Sequence, residues 1–197
     1  MEYSTFAAID IGSYDVILEI FEISKKQGIR SVDKICHRME LGKDTYTLGK
    51  IRPEMEEELC RVLADFVRIM EGYRVDDYRA AASSAISEAS NSLYVLGKIH
   101  QLTGLSVTVL SNSEQRFLSY KALAAMEDNF NKIIEKGTAI LDLDGGSFQI
   151  SLFDKDALVT TQNIRMGSLR IRERLAGIQS ETEHYEEMVE ELIWNEV

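Results

Sequence analysis

Two stretches of this chain repeat one design. AAIDIGSYDVILEI (7–20) and AILDLDGGSFQISLF (139–153) each run an apolar strand into an aspartate, turn on glycine and serine, and leave on a partly alternating apolar strand. Short apolar runs broken by turn residues read as sheet strands buried on one or both faces. Asp10 of the first stretch answers Asp142 of the second, 132 residues later. That is the spacing of a lobe rather than of a hairpin, so a β-β-β-α unit is expected twice. The predicted fold class is therefore α/β, with mixed sheets of hairpin and parallel strands flanked by helices.

The segments between the hairpins fit that plan. IRSVDKICHRMEL (29–41) supplies a third strand, and GKDTYTLGK (42–50) reads as a glycine-flanked loop. Pro53 opens a helix whose first turn carries Glu54, Glu56, Glu57 and Glu58, which suits the positive end of the helix dipole. Met55, Leu59, Val62, Phe66, Ile69, Met70 and Tyr73 fall on one stripe of it. A strand is expected in YRAAASSAI (78–86), a helix in NSLYVLGKIHQL (91–102), a strand in LSVTVL (105–110) and a long helix over 113–136. A composition shift at 135–137 sets the expected boundary: a first lobe over 1–136 and a second over 137–197. ALVTTQNIRMG (157–167) and a final helix over TEHYEEMVEELIW (182–194) complete the second copy. It has fewer elements than the first, so the chain is expected to be the front part of a longer protein.

The repeated turns suggest chemistry. A tight Gly/Ser turn lets backbone N–H groups and a hydroxyl approach phosphate oxygens, and an aspartate on the preceding strand can hold Mg²⁺ directly or through water. A single Asp-Gly turn is usually only a turn; two copies a lobe apart imply two loops across a cleft. The formal net charge of −11 argues against non-specific binding to nucleic acid or to an anionic membrane. It also means that a phosphate ligand needs local donors or a cation.

Several motifs, in order, resemble those of the exopolyphosphatase/guanosine-pentaphosphate phosphatase family of the actin-like ATPase superfamily. AAIDIGS is similar to that family's first phosphate loop, and MELGKDTYTLGKI to its approach to the first long helix. AASSAISEASN resembles Ala-Thr-Ser-Ala-x-Arg-Glu-Ala-x-Asn, and VLSNSEQRFLSY resembles Ile-Ser-Gly-x-Glu-Glu-Ala-Arg-Leu. LDLDGGSFQISLF resembles Asp-Ile-Gly-Gly-Gly-Ser-Thr-Glu-Leu, and RMGSLRIRERL its following Leu-Gly-x-x-Arg segment. The resemblance implies RNase-H-like actin-family lobes, the second incomplete, and Mg²⁺-dependent hydrolysis of terminal phosphoanhydrides in polyphosphate or guanosine pentaphosphate. It places Asp10 and Asp142 around Mg²⁺, Gly12, Ser13, Gly145, Gly146 and Ser147 on phosphate, and Glu114, Gln115 and Gln149 at the catalytic positions.

The departures point one way. The second glutamate of the Glu-Glu pair, the family's presumed base, aligns with Gln115, and the glutamate after the second loop aligns with Gln149. An amide takes no proton from water at neutral pH and is a poorer Mg²⁺ ligand than a carboxylate. Ser87 stands for an arginine, Asn112 for a turn glycine, and Asp144 for the first glycine of the second loop. Weakened catalysis is expected, with Glu114 as an alternative base. A non-catalytic phosphate- or nucleotide-binding sensor and a partner-binding relative with a vestigial cleft are the alternatives. A homodimer is left open.

Other features have plainer readings. GKDTYTLGK has six residues between Gly42 and Gly49, and Ile51 after Lys50, which does not fit a P-loop. His37, His100 and His184 lack ligand spacing, and Cys36 and Cys60 read as buried free thiols of a reducing compartment. Arg165, Arg170, Arg172 and Arg174 form a basic cluster, expected as an ion-paired face beside the acidic final helix or as a phosphate contact. The N-terminus lacks a basic segment ahead of an apolar core, and no apolar run nears the roughly 18 residues of a membrane span. A cytoplasmic protein is expected.

Overall fold

The structure, a computed structural model, describes residues 3–126, 130–176 and 184–196. The chain divides into two compact units, Met1–Leu110 and Ser111–Val197.

The first unit is built on a five-stranded sheet of order β3-β2-β1-β4-β5. Its strands are β1 (Ser4–Ile11), β2 (Asp15–Ser24), β3 (Gly28–Arg38), β4 (Asp77–Ala82) and β5 (Val107–Val109). β1, β2 and β3 are antiparallel neighbours, and β4 and β5 extend the sheet in parallel. Strand periodicity explains the core: Ala7, Ile9 and Ile11 of β1 and Val16, Leu18 and Ile20 of β2 are buried. The helices are α1 (Leu41–Leu48), α2 (Pro53–Gly72), α3 (Ser84–Ser87) and α4 (Ser92–Thr103). Leu59, Leu63 and Phe66 of α2 and Val95 and Ile99 of α4 close the same core. Each such side chain contributes about 1.5–3 kcal/mol relative to exposure.

Two local readings change here. GKDTYTLGK is mostly helix α1, not loop, because Gly49 caps it at φ 70° with its N–H on the Thr45 carbonyl. Asp44 within it is buried and paired with Arg52 (Nε–Oδ1 2.9 Å), which also anchors the start of α2. Cys36 is exposed on β3 and only Cys60 is buried, since β3 is an edge strand with much of its surface open.

The second unit holds a three-stranded antiparallel sheet, β6 (Thr138–Leu143), β7 (Phe148–Asp154) and β8 (Ala157–Ile164), in chain order. Its helices are α5 (Asn112–Met126), α6 (Phe130–Ile134), α7 (Ser168–Leu175) and α8 (Tyr185–Glu196). α5 and α6 cover the expected long helix, with residues 127–129 between them outside the described residues. The expected lobe boundary at 136/137 falls inside this unit, between α6 and β6. α7 forms where the sequence reading named only a motif and a basic cluster. Of the expected final helix, residues 182–183 lie outside the described residues.

Candidate functional site

The first loop follows β1. With Ile9 and Ile11 buried, the period of two turns Asp10 to the opposite, exposed face at the carboxyl end of the strand. Gly12 donates its N–H to the Asp15 carbonyl at 3.0 Å, and a Cβ on Gly12 would lie only 3.0 Å from that oxygen. Ser13 is buried, and its hydroxyl lies 2.6 Å from Tyr46 Oη and 3.3 Å from Ser84 Oγ. Tyr46 and Ser84 close the triangle at 2.8 Å. The loop carbonyls are also held: Ile11 accepts from Ser83 N–H, Ser13 from Gly42 N–H, and Tyr14 from Met39 and Glu40 N–H. Tyr46 and Ser84 escaped the sequence reading, because nothing in a single sequence announces a hydroxyl cluster spread over |i−j| of 33 and 71.

Ser87 ends α3 and Glu88 caps it. Asn91, in the same motif, works as a splint. Its Oδ1 accepts Ile51 N–H at 3.0 Å, and its Nδ2 donates to Ile51 O at 2.8 Å and to Glu56 Oε1 at 2.9 Å.

The second loop joins β6 to β7. Its carbonyls are secured by the first turn of α7: Ser168 N–H donates to Asp144 O, and Leu169 and Arg170 N–H donate to Gly145 O. Arg170 Nε donates to Gly146 O at 3.0 Å, so this member of the basic cluster holds loop backbone. Gly167 permits the approach, since a Cβ there would sit 2.3 Å from the Gly145 carbonyl carbon. The loop amides turn to Asp144, whose Oδ1 accepts Gly146 N–H at 2.7 Å and Ser147 N–H at 2.5 Å. Asp144 Oδ2 takes the Ser147 hydroxyl at 3.5 Å and Gln115 Nε2 at 3.4 Å.

α5 opens with a capping box: Ser111 N–H and Oγ–H donate to Glu114 Oε2, and Glu114 N–H donates to Ser111 Oγ. These bonds, the backbone one first, hold the Glu114 carboxyl below its ordinary range. Further along, Ser119 Oγ donates to Asp142 Oδ2 at 3.3 Å, Arg116 to Thr161 Oγ1 at 3.1 Å, and Tyr120 to Ser151 Oγ. Asp142 and Gln149 are register partners on β6 and β7, and Gln149 faces Asn163 on β8. Gln149 is 3% exposed, and its Oε1 has no hydrogen-bond partner among the described residues. A cavity of about 310 Å³ lies under α5, lined by Arg116, Ser119, Tyr120, Asp142, Gln149 and Ser151 among others.

The second unit thus gathers Gln115, Asp142, Gly145, Gly146, Ser147 and Gln149 around one helix and one sheet face, with Glu114 at the helix start. Asp10, Gly12 and Ser13 belong to the first unit. Arg116, Ser119, Tyr120, Ser151 and Thr161 are additions that the sequence reading missed. The available signals were the helical spacing of 116, 119, 120 and 123 and the alternation of 149, 151 and 153. Among the described residues no group of three or more His, Cys, Asp or Glu is placed to hold a metal ion.

A mixed five-stranded sheet in the first unit and an antiparallel three-stranded sheet in the second, each flanked by helices and each with an aspartate and a Gly/Ser turn, give the class: an actin-like ATPase fold. The sequence profile of the Ppx/GppA phosphatase family matches residues 19–197, and the chain belongs to that family. Among curated relatives, a bifunctional 3-dehydroquinate synthase/phosphatase of Fusobacterium nucleatum is 22% identical over 174 residues, covering 85% of this chain and 26% of the relative. Exopolyphosphatase 1 of Mycobacterium leprae is 25% identical over 144 residues, covering 73% and 41%. The crystal structure of the Aquifex aeolicus Ppx/GppA family member superposes with a TM-score of 0.70 at 24% identity, covering 87% of this chain and 54% of that one. The chain therefore spans well under two thirds of these proteins' lengths.

Proposed function

We propose that the chain serves a phosphatase of the Ppx/GppA kind, acting on terminal phosphoanhydrides of polyphosphate or guanosine pentaphosphate with weakened catalysis. The observation that carries this reading is the state of three positions. Gln115 is an amide bonded to Asp144, Gln149 is a buried amide beside Asp142, and Glu114 is committed to its own helix cap. None of the three stands as a free carboxylate base. In this reading Gln115 orients a water but leaves its proton in place, while Ser13 and Gly145–Ser147 contact phosphate. In the second unit, Gln149, whose Oε1 has no hydrogen-bond partner among the described residues, and its register partner Asp142 offer hard oxygen donors of the kind that would suit Mg²⁺; Asp10 is the candidate ligand of the first unit. Such an ion supplies charge neutralisation of phosphate and a lowered pKa of bound water.

General acid–base catalysis contributes about 10²–10⁴-fold, which sets the size of the expected deficit. The test is Mg²⁺-dependent phosphate release from polyphosphate and guanosine pentaphosphate, comparing wild type with the Gln115→Glu/Gln149→Glu double variant. A rise of about 10²-fold or more in the variant supports the reading. A wild type as fast as the variant rejects it. A second reading, a non-catalytic phosphate sensor or partner-binding relative, is favoured by the carboxylate of Asp144 on the loop amides. Silence of both proteins, with a thermal shift on adding polyphosphate, would select the sensor.

A further inference from the structure

We infer that Asp144 is the specificity-determining residue of the second loop, a tethered anion seated where a phosphate oxygen would bind. The inference rests on reading residues 145–147 as a phosphate loop. Backbone N–H groups that converge on one point form an anion-binding nest. Here the convergence point holds Asp144 Oδ1, which accepts from both Gly146 and Ser147 N–H. The second carboxylate oxygen takes the Ser147 hydroxyl and the Gln115 amide. One side chain thus engages the donors of the turn together with the side chain at the helical catalytic position.

The seat is built rather than incidental. The carbonyls of Asp144, Gly145 and Gly146 are occupied by the first turn of α7 and by Arg170 Nε, so the loop cannot easily turn those amides elsewhere. Gly167 lets α7 press directly on the loop, with backbone atoms of residues 145–147 within 2.4 Å of where a Cβ would stand. A tethered group competes at an effective concentration of about millimolar or more, so a free phosphate of ordinary weak affinity loses to it. It would also meet a like charge on arrival. The loop therefore rejects free phosphate. A phosphorylated ligand engages it only when contacts elsewhere are strong enough to drive the Asp144 carboxylate out.

The experiment is a titration of the ¹⁵N-labelled protein with inorganic phosphate at constant ionic strength, following the Gly146 and Ser147 amides. Wild type is expected to show no saturable shift. Asp144→Ala, with shift dispersion retained, is expected to bind phosphate at least tenfold more tightly. Asp144→Asn keeps the shape and an acceptor oxygen for the Gly146 and Ser147 N–H groups, is the second variant should alanine not fold, and is expected to fall between the two. Saturable binding by wild type at the affinity of the alanine variant overturns the inference, as does a folded alanine variant that gains nothing. An asparagine variant equal to alanine overturns the seat, leaving only charge. The phosphate-release assay is a separate readout. Its failure with success here removes the hydrolase reading and leaves the seated anion standing.

Discussion

Replacing Gly167 by alanine tests the packing on which the second loop depends. Gly167 has φ −77° and ψ 164°, an extended conformation open to any residue, so backbone strain plays no part. The penalty is contact. The new Cβ would lie 2.3 Å from Gly145 C, 2.4 Å from Gly146 N and 2.4 Å from Ser147 N, all backbone atoms that no rotamer change can move. Relief to an ordinary contact of about 3.5–4 Å requires α7 or the loop to shift by more than an ångström. That shift opens the bonds from Ser168 N–H (2.9 Å), Leu169 N–H (3.1 Å), Arg170 N–H (3.1 Å) and Arg170 Nε (3.0 Å) to the loop carbonyls. At about 0.5–1.5 kcal/mol each, complete loss costs about 2–6 kcal/mol. Overpacking alone costs about 1–3 kcal/mol, and partial retention of the bonds brings the expected loss to about 2–4 kcal/mol. Urea unfolding by circular dichroism reads it as a lowered midpoint at unchanged slope. Gly97 is the control: it lies inside α4 with nothing within 4 Å of its Cβ position, so Gly97→Ala should stabilise by about 0.5–1 kcal/mol. A Gly167→Ala protein within about 0.5 kcal/mol of wild type would refute the steric argument.

Two further outcomes are expected. Asn91→Ala strands the Ile51 peptide and Glu56 at once, and should destabilise the first unit by about 2–4 kcal/mol in the same assay, whereas a loss under about 0.5 kcal/mol would show that water replaces the splint. Glu114 titrates lower when folded than its ordinary 4.5, so its cap contributes fully above the unfolded pKa and is lost as pH falls through the folded one. The protection of the Ser111 amide, relative to its intrinsic exchange rate at each pH, should therefore fall only below about pH 4.5, and Glu114→Gln should flatten the profile; a carboxyl that titrates at or above 4.5 would contradict the cap.

The two hairpins were legible because they rest on strand alternation and turn residues, which local sequence carries. The α2 stripe was legible for the same reason, as Leu59, Val62, Phe66 and Met70 are all buried, though Tyr73 lies past the helix end and is exposed. α1 was not, since two glycines and a charged centre mimic a loop until Arg52 neutralises Asp44 and Gly49 takes the left-handed cap. The polar layer beneath α5 was hidden for another reason. Arg116, Ser119 and Tyr120 look like the outer face of a surface helix, and their partners Thr161, Asp142 and Ser151 stand at |i−j| of 45, 23 and 31. The family motifs single out Gln115, Asp142 and Gln149 but not what surrounds those residues.

Those bonds share a direction. At the second loop and the start of α5, side chains take internal partners in the place of external ones. Asp144 fills the loop donors, Gln115 donates to Asp144, and Glu114 serves Ser111. A carboxylate at position 115 would face the Asp144 carboxylate across about 3.4 Å, so the amide of Gln115 tolerates an acid at 144 where a second acid would be repelled. The amide at 115 and the acid at 144 are thus energetically coupled, and replacing both should gain more than the two single replacements together. Phosphate release by Gln115→Glu in the Asp144→Gly background should exceed the product of the two single effects. Simple multiplication of those effects would show that the two positions act independently.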